Sequence, residues 1–208
     1  MTSVAMEARY DRTDLSNILR SGVALGLLQS VLIALFGFIQ VRVAGTVELV
    51  VCGVILLIGI AVTISLPGTW TRARTIEGIA GAAGIGFASA IVFLIVDVSV
   101  FQPLGLWTSR WLAIGGGLNW WYHPVWWMVG TALPTMGAWV LANQTRKNGQ
   151  PSPLSLVLFT FVLAAIVLAI ATLIRFPGAR WGMGGFAVSI IPALILYVVL
   201  SGIGPSRR

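Results

Sequence analysis

Few residues in this chain can do chemistry, and most of them crowd into one stretch. GGGLNWWYHPVWW, from Gly115 to Trp127, sets the single histidine, His123, among four tryptophans and a tyrosine, behind three consecutive glycines. A histidine can ligate a metal, a haem or a chlorin, or move a proton near neutral pH. Each role needs company. Zinc takes three or four protein ligands, and the only cysteine, Cys52, lies in a distant apolar run. A second imidazole for bis-histidine haem is absent from the sequence. The reading that follows is an imidazole at a membrane interface, its N–H met by water or a carbonyl.

Asp97, in FLIVDVSVF, is the one acid well inside an apolar run. Carboxylates are costly at membrane depth and mark functional sites by default. At the expected outer end of a helix it could reach water, or pair with Arg42, Arg110 or Arg175, and a structural role is favoured over proton coupling. Glu48 and Glu77 open apolar runs, where acids complement the positive end of a helix dipole. Six of the nine tryptophans, Trp107, Trp111, Trp120, Trp121, Trp126 and Trp127, fall between Gln102 and Trp127. Indole prefers the headgroup level, so they read first as an aromatic belt. The alternative is an aromatic-lined pocket for a flat or cationic ligand. Its residues would be Trp120, Trp121, His123, Trp126 and Asp97. No Ser/His/Asp set, paired carboxylates, phosphate-binding glycine loop or metal-ligand cluster is present, so no catalytic residue, metal or cofactor is assigned.

The elements that must position these residues follow from composition. Of 208 residues 58% are hydrophobic and 9% charged, against about 25% charged in soluble domains. The chain therefore cannot cover a water-facing surface. Six apolar runs are long enough to cross a bilayer: 22–41, 47–66, 78–101, 124–142, 154–174 and 185–202. Backbone groups in lipid must be satisfied within the segment. The expected fold is thus an all-α polytopic membrane helix bundle, one domain over 21–203 with short tails at 1–20 and 204–208. The net charge of +7 comes with no basic motif for nucleic acid, and the basic residues sit between the runs. Arg9, Arg12, Arg20, Arg72, Arg74, Arg146, Lys147, Arg207 and Arg208 fall on one side, nine in all. Arg42, Arg110, Arg175 and Arg180 fall on the other, four in all. The positive-inside rule then predicts both termini in the cytoplasm, in a bacterial inner membrane. The N-terminus mixes charge signs without a cleavage site and reads as a retained tail. Gln102–His123, long and nearly uncharged, is expected to be an interfacial or re-entrant segment, whereas Asn143–Pro153 reads as an exposed loop.

Small residues recur at helical spacing. Gly22 and Gly26 form GxxxG, and GIAGAAGIGFASA places Gly84 and Gly86 among alanines. Such faces let helices approach closely in lipid, and more than one leaves room for a membrane-protein partner or a second copy. Pro134 and Pro192 fall within apolar runs and predict kinks. Pro67–Gly68 and Pro177–Gly178 follow the second and fifth runs, a faint sign of two inverted halves. The expected function is a non-catalytic membrane subunit or accessory protein, with lipid, quinone or pigment as conceivable fillers between partners. The alternative is a small-solute transporter or its substrate-binding component. In size and layout the chain is similar to the substrate-binding components of energy-coupling-factor vitamin transporters. No motif of that family is found, so the resemblance assigns no residue.

Overall fold

The computed structural model describes residues 11–107 and 122–203. They form six α-helices and no strand: α1 (Leu15–Arg42), α2 (Thr46–Trp70), α3 (Ile76–Val96), α4 (His123–Asn148), α5 (Pro153–Leu173) and α6 (Met183–Gly202). All six are long and apolar enough to cross a membrane, and α4 is the least apolar. The six apolar runs and the helices coincide, with differences at the ends that have local causes.

α1 starts at Leu15 and not at Gly22, because Asp14 caps it, accepting from Asn17 N at 2.9 Å. The expected tail is correspondingly shorter. α4 continues to Asn148 and ends at Gly149, whose φ of 80° is the left-handed cap geometry glycine favours. Asn143–Asn148 is therefore helix, correcting the loop expectation. Its polar side chains face inward: Asn143 Nδ2 donates to Ser201 Oγ at 2.9 Å and Gln144 Nε2 to Tyr197 OH at 3.1 Å. α5 opens with Ser152 as cap and Pro153 in its first turn, where a missing N–H is harmless. Hydroxyls inside the helices bond back to carbonyls one turn earlier, as Ser30 does to Gly26 and Thr63 to Gly59. A hydroxyl bonded in this way needs no water, whereas Thr160 Oγ1 in α5 is buried without a partner among the described residues.

α3 and α4 form the middle of the bundle. α1 lies along α3, α2 along α4, and α5 with α6 make a pair beside α4. Glycines set the distances. A methyl on Gly26 would lie 2.7 Å from Ser89 O, and one on Gly86 2.7 Å from Pro134 Cγ. Gly22 faces Ala88 and Ile85, while Gly84 faces Ile18. All four glycines expected to serve helix packing are thus used between helices of this chain. A larger apolar core, including Ile64, Leu133, Leu141, Leu156, Ile190 and Leu194, joins α2, α4, α5 and α6.

The two Pro-Gly pairs are not placed alike. Pro67 and Gly68 lie inside α2, whereas Pro177 and Gly178 lie in a turn beyond α5. A different likeness exists between these helices. Ala73 N bonds Gly68 O and Arg72 N bonds Thr69 O; Phe176 N bonds Ala171 O and Arg175 N bonds Thr172 O. Both are Schellman ends with an arginine, at φ 52° and 57°, in the left-handed position usually held by glycine.

Candidate functional site

At the end of α3 the helix widens into one π turn, Asp97–Phe101. Such turns rotate side chains off the regular helical register. Gln102 N then closes onto Asp97 O at 2.9 Å, and Leu106 N onto Phe101 O at 3.0 Å. The chain doubles back, with Gly105 at φ 64°. That reversal carries the Trp107 indole over the carboxylate it has just left.

Asp97 is fully buried and receives four side chains. Trp107 Nε1 donates to Oδ1 at 2.9 Å. Gln102 Nε2 donates to Oδ2 at 2.8 Å and Tyr122 OH to the same oxygen at 2.5 Å. His123 Nε2 lies 3.0 Å from Oδ2 and donates when it carries the proton. Burial and the adjacent carboxylate push the Tyr122 phenol above its ordinary range, so the hydroxyl keeps its proton and remains a donor. The carboxylate also faces the first turn of α4, where the helix dipole favours negative charge.

Aromatic rings wall this cluster. Phe93 stacks on Trp126 with centroids 3.9 Å apart, Trp107 leans on Tyr122 at 5.1 Å, and Tyr122 meets the His123 ring edge-on at 4.9 Å. Phe93, Leu94, Phe101 and Tyr122 are all buried. Within this wall the Trp126 indole nitrogen is buried and has no acceptor among the described residues.

The sequence reading is thereby corrected in two respects. Asp97 reaches neither water nor an arginine among the described residues; Arg42 instead lies over its own Phe38 ring at 3.6 Å. His123 is not a solitary interfacial imidazole, since the start of α4 delivers it to Asp97. Of the five suggested ligand-binding residues the fold brings Asp97, His123 and Trp126 into one neighbourhood. Trp120 and Trp121 lie outside the described residues, as do Arg110 and the glycines Gly115–Gly117. Gln102 and Tyr122 are given no role by the sequence, and Trp107 only that of an aromatic belt, whereas the fold turns all three onto Asp97. The one available signal is the polar Gln102 five residues after the acid, the spacing a π turn brings together.

Chemically the arrangement is an acceptor saturated by donors. A general base or nucleophile needs an open approach to its reacting atom, and here both carboxylate oxygens are occupied by the chain's own side chains. Among the described residues no group of three His, Cys, Asp or Glu side chains converges as metal ligands would. Compared with protein-family models, with curated proteins and with solved structures, the chain matches none of them.

Proposed function

We propose that this chain is an integral protein of a bacterial cytoplasmic membrane, with both termini in the cytoplasm. In this reading it serves as a non-catalytic subunit or accessory protein packed against other membrane proteins or a second copy of itself. The observation that carries it is the saturation of Asp97, whose two oxygens are held by Trp107, Gln102, Tyr122 and His123. An intramembrane acid committed to four donors fixes a shape; it is not poised to turn over a substrate. Outward room for a partner supports the same reading. A side chain at Gly53 or Gly59 would meet one atom at 3.9 Å, and at Gly184 nothing within 4 Å. Helices approach closely at such positions in lipid.

Native mass spectrometry of the full chain extracted in mild detergent tests this. A complex larger than one copy is expected, and Gly53→Phe with Gly184→Phe should release the partner while leaving the monomer folded. A lone monomer in every mild detergent overturns it.

A second reading, a solute-binding component of a transporter, is favoured by one observation: the buried, acceptorless Trp126 indole N–H beside the aromatic wall. An orphan buried donor is destabilising unless a partner arrives. On this reading a small molecule with a hydrogen-bond acceptor co-purifies with the wild type and is lost from Trp126→Phe.

A further inference from the structure

The other end of the bundle holds a second site of opposite charge. A cavity of about 330 Å³ opens between the last turns of α2 and α4, lined by Gly68, Thr69, Arg72, Arg74, Thr145 and Pro151. That volume is at the low end of small-ligand sites. Neither the Arg72 nor the Arg74 side chain has an acceptor among the described residues, and both are exposed. The acids nearby are already engaged. Asp11 accepts from Arg74 N, Thr75 N and Gly78 N, and the single Thr75 hydroxyl proton lies between the Asp11 and Glu77 carboxylates. Arg146 and Lys147, which follow Thr145 in the chain, do not line the cavity; they donate instead to Asn143 Oδ1 and Ile203 O.

We propose that this cavity binds a phosphate-bearing anion, either the headgroup of an anionic lipid or a free phosphate, gripped by Arg72 and Arg74. The guanidinium geometry suits phosphate oxygens, which it can contact through paired N–H groups. The two threonines do not compete for that role. Thr69 and Thr145 hydroxyls give their protons to Ser65 O and Leu141 O, so recognition falls to the arginines. Carbonyls exposed at the ends of α2 and α4 favour cations there, which explains why basic residues sit at these ends but does not use up their donors. The left-handed backbone at Arg72 is not itself the signal, since Arg175 shares it. The signal is a cavity with two uncommitted guanidinia at the rim, where apolar helix gives way to polar turn. Basic pockets between helices at that level take phosphorylated headgroups. Lipid binding requires the helices in a bilayer, and neither ligand requires a partner subunit.

The experiment compares the full chain with Arg72→Gly/Arg74→Gln, and with Arg42→Gln at the opposite end as control. Arg72→Gly removes the charge while leaving a residue at home in the left-handed position, so the fold is expected to hold, checked by helical circular dichroism. The probes are vesicles of phosphatidylglycerol, vesicles of phosphatidylcholine, and inorganic phosphate. Retention of phosphatidylglycerol over phosphatidylcholine by the wild type and the Arg42 control is expected, weakened about tenfold or more in the double variant and weakened by salt. Phosphate binding without lipid preference, lost in the double variant, assigns the site to a free anion. Equal retention of both lipids with no phosphate binding overturns the proposal. So does a double variant that binds as the wild type does.

Discussion

A carboxylate removed from water is tolerable only when its acceptors are filled. Asp97 meets that condition from four directions, and the donors in turn depend on it. Truncating it removes the acceptor that Gln102, Trp107, Tyr122 and His123 share. Asp97→Ala should therefore lose about 3–5 kcal/mol of stability, read as a lowered unfolding midpoint in detergent. Tyr122→Phe, which removes one donor and leaves three, should lose about 1–3 kcal/mol. The phenol also predicts a pH effect. Its folded pKa is raised, by burial first and then by the Asp97 carboxylate. Its contribution is thus fully present below the ordinary phenol pKa of about 10 and falls as pH rises beyond it, since the unfolded chain releases that proton first. Unfolding midpoints measured from pH 8 to 11 should decline at the alkaline end. Tyr122→Phe should show a smaller decline, and an identical decline would remove Tyr122 as its source.

At the scale of elements, glycines divide into those that set a helix distance and those that do not. Gly137 in α4 lies against the Ile64 carbonyl of α2, and a methyl there would also lie 2.7 Å from Ile64 C. Backbone cannot yield as a flexible side chain can. Gly137→Ala should destabilise by about 1–3 kcal/mol or more through overpacking. Gly53→Ala, with only Met183 Sδ at 3.9 Å, should be neutral in the monomer or stabilise by about 0.5–1 kcal/mol through helix propensity. Chemical unfolding of both variants in one detergent makes the comparison. The same contrast shows what the sequence carries. Uniform apolar runs locate six helices, because hydropathy alone decides them. Small-residue spacing marks Gly22, Gly26, Gly84 and Gly86 as contact points, but cannot say whether the contact is within the chain or with another. The site is legible in its odd members, Asp97 and His123, whose rarity in apolar surroundings singles them out. Their meeting is not legible. It depends on a π turn and on where α4 begins, neither of which leaves a mark in hydropathy. Asn143 and Gln144 mislead for a related reason, being polar residues that continue a helix because α6 offers them Ser201 and Tyr197.

For the whole molecule, the two ends differ in the charge they carry. One end gathers the α2–α3 turn, where Arg12 N bonds Thr71 O at 2.8 Å, with the end of α4 and the cap of α5, where Ser152 N bonds Gln144 Oε1 at 2.8 Å. Arg72, Arg74, Arg146 and Lys147 belong to that end. The other end holds the Asp97 cluster and Arg42. Lys and Arg near helix ends set orientation because they are retained on the cytoplasmic side, so the arginine cavity should face the cytoplasm and the Asp97 cluster the outside. Single cysteines on a Cys52→Ala background test this directly. Leu104, 77% exposed near the cluster, and Gln150, exposed beyond α4, report opposite ends. In intact cells a membrane-impermeant maleimide should label Leu104→Cys and spare Gln150→Cys until the membrane is broken. The reverse pattern would invert the molecule. It would put the arginine cavity against the outer leaflet and leave the cytoplasmic side as the one with fewer basic residues, against the charge rule that orients the chain.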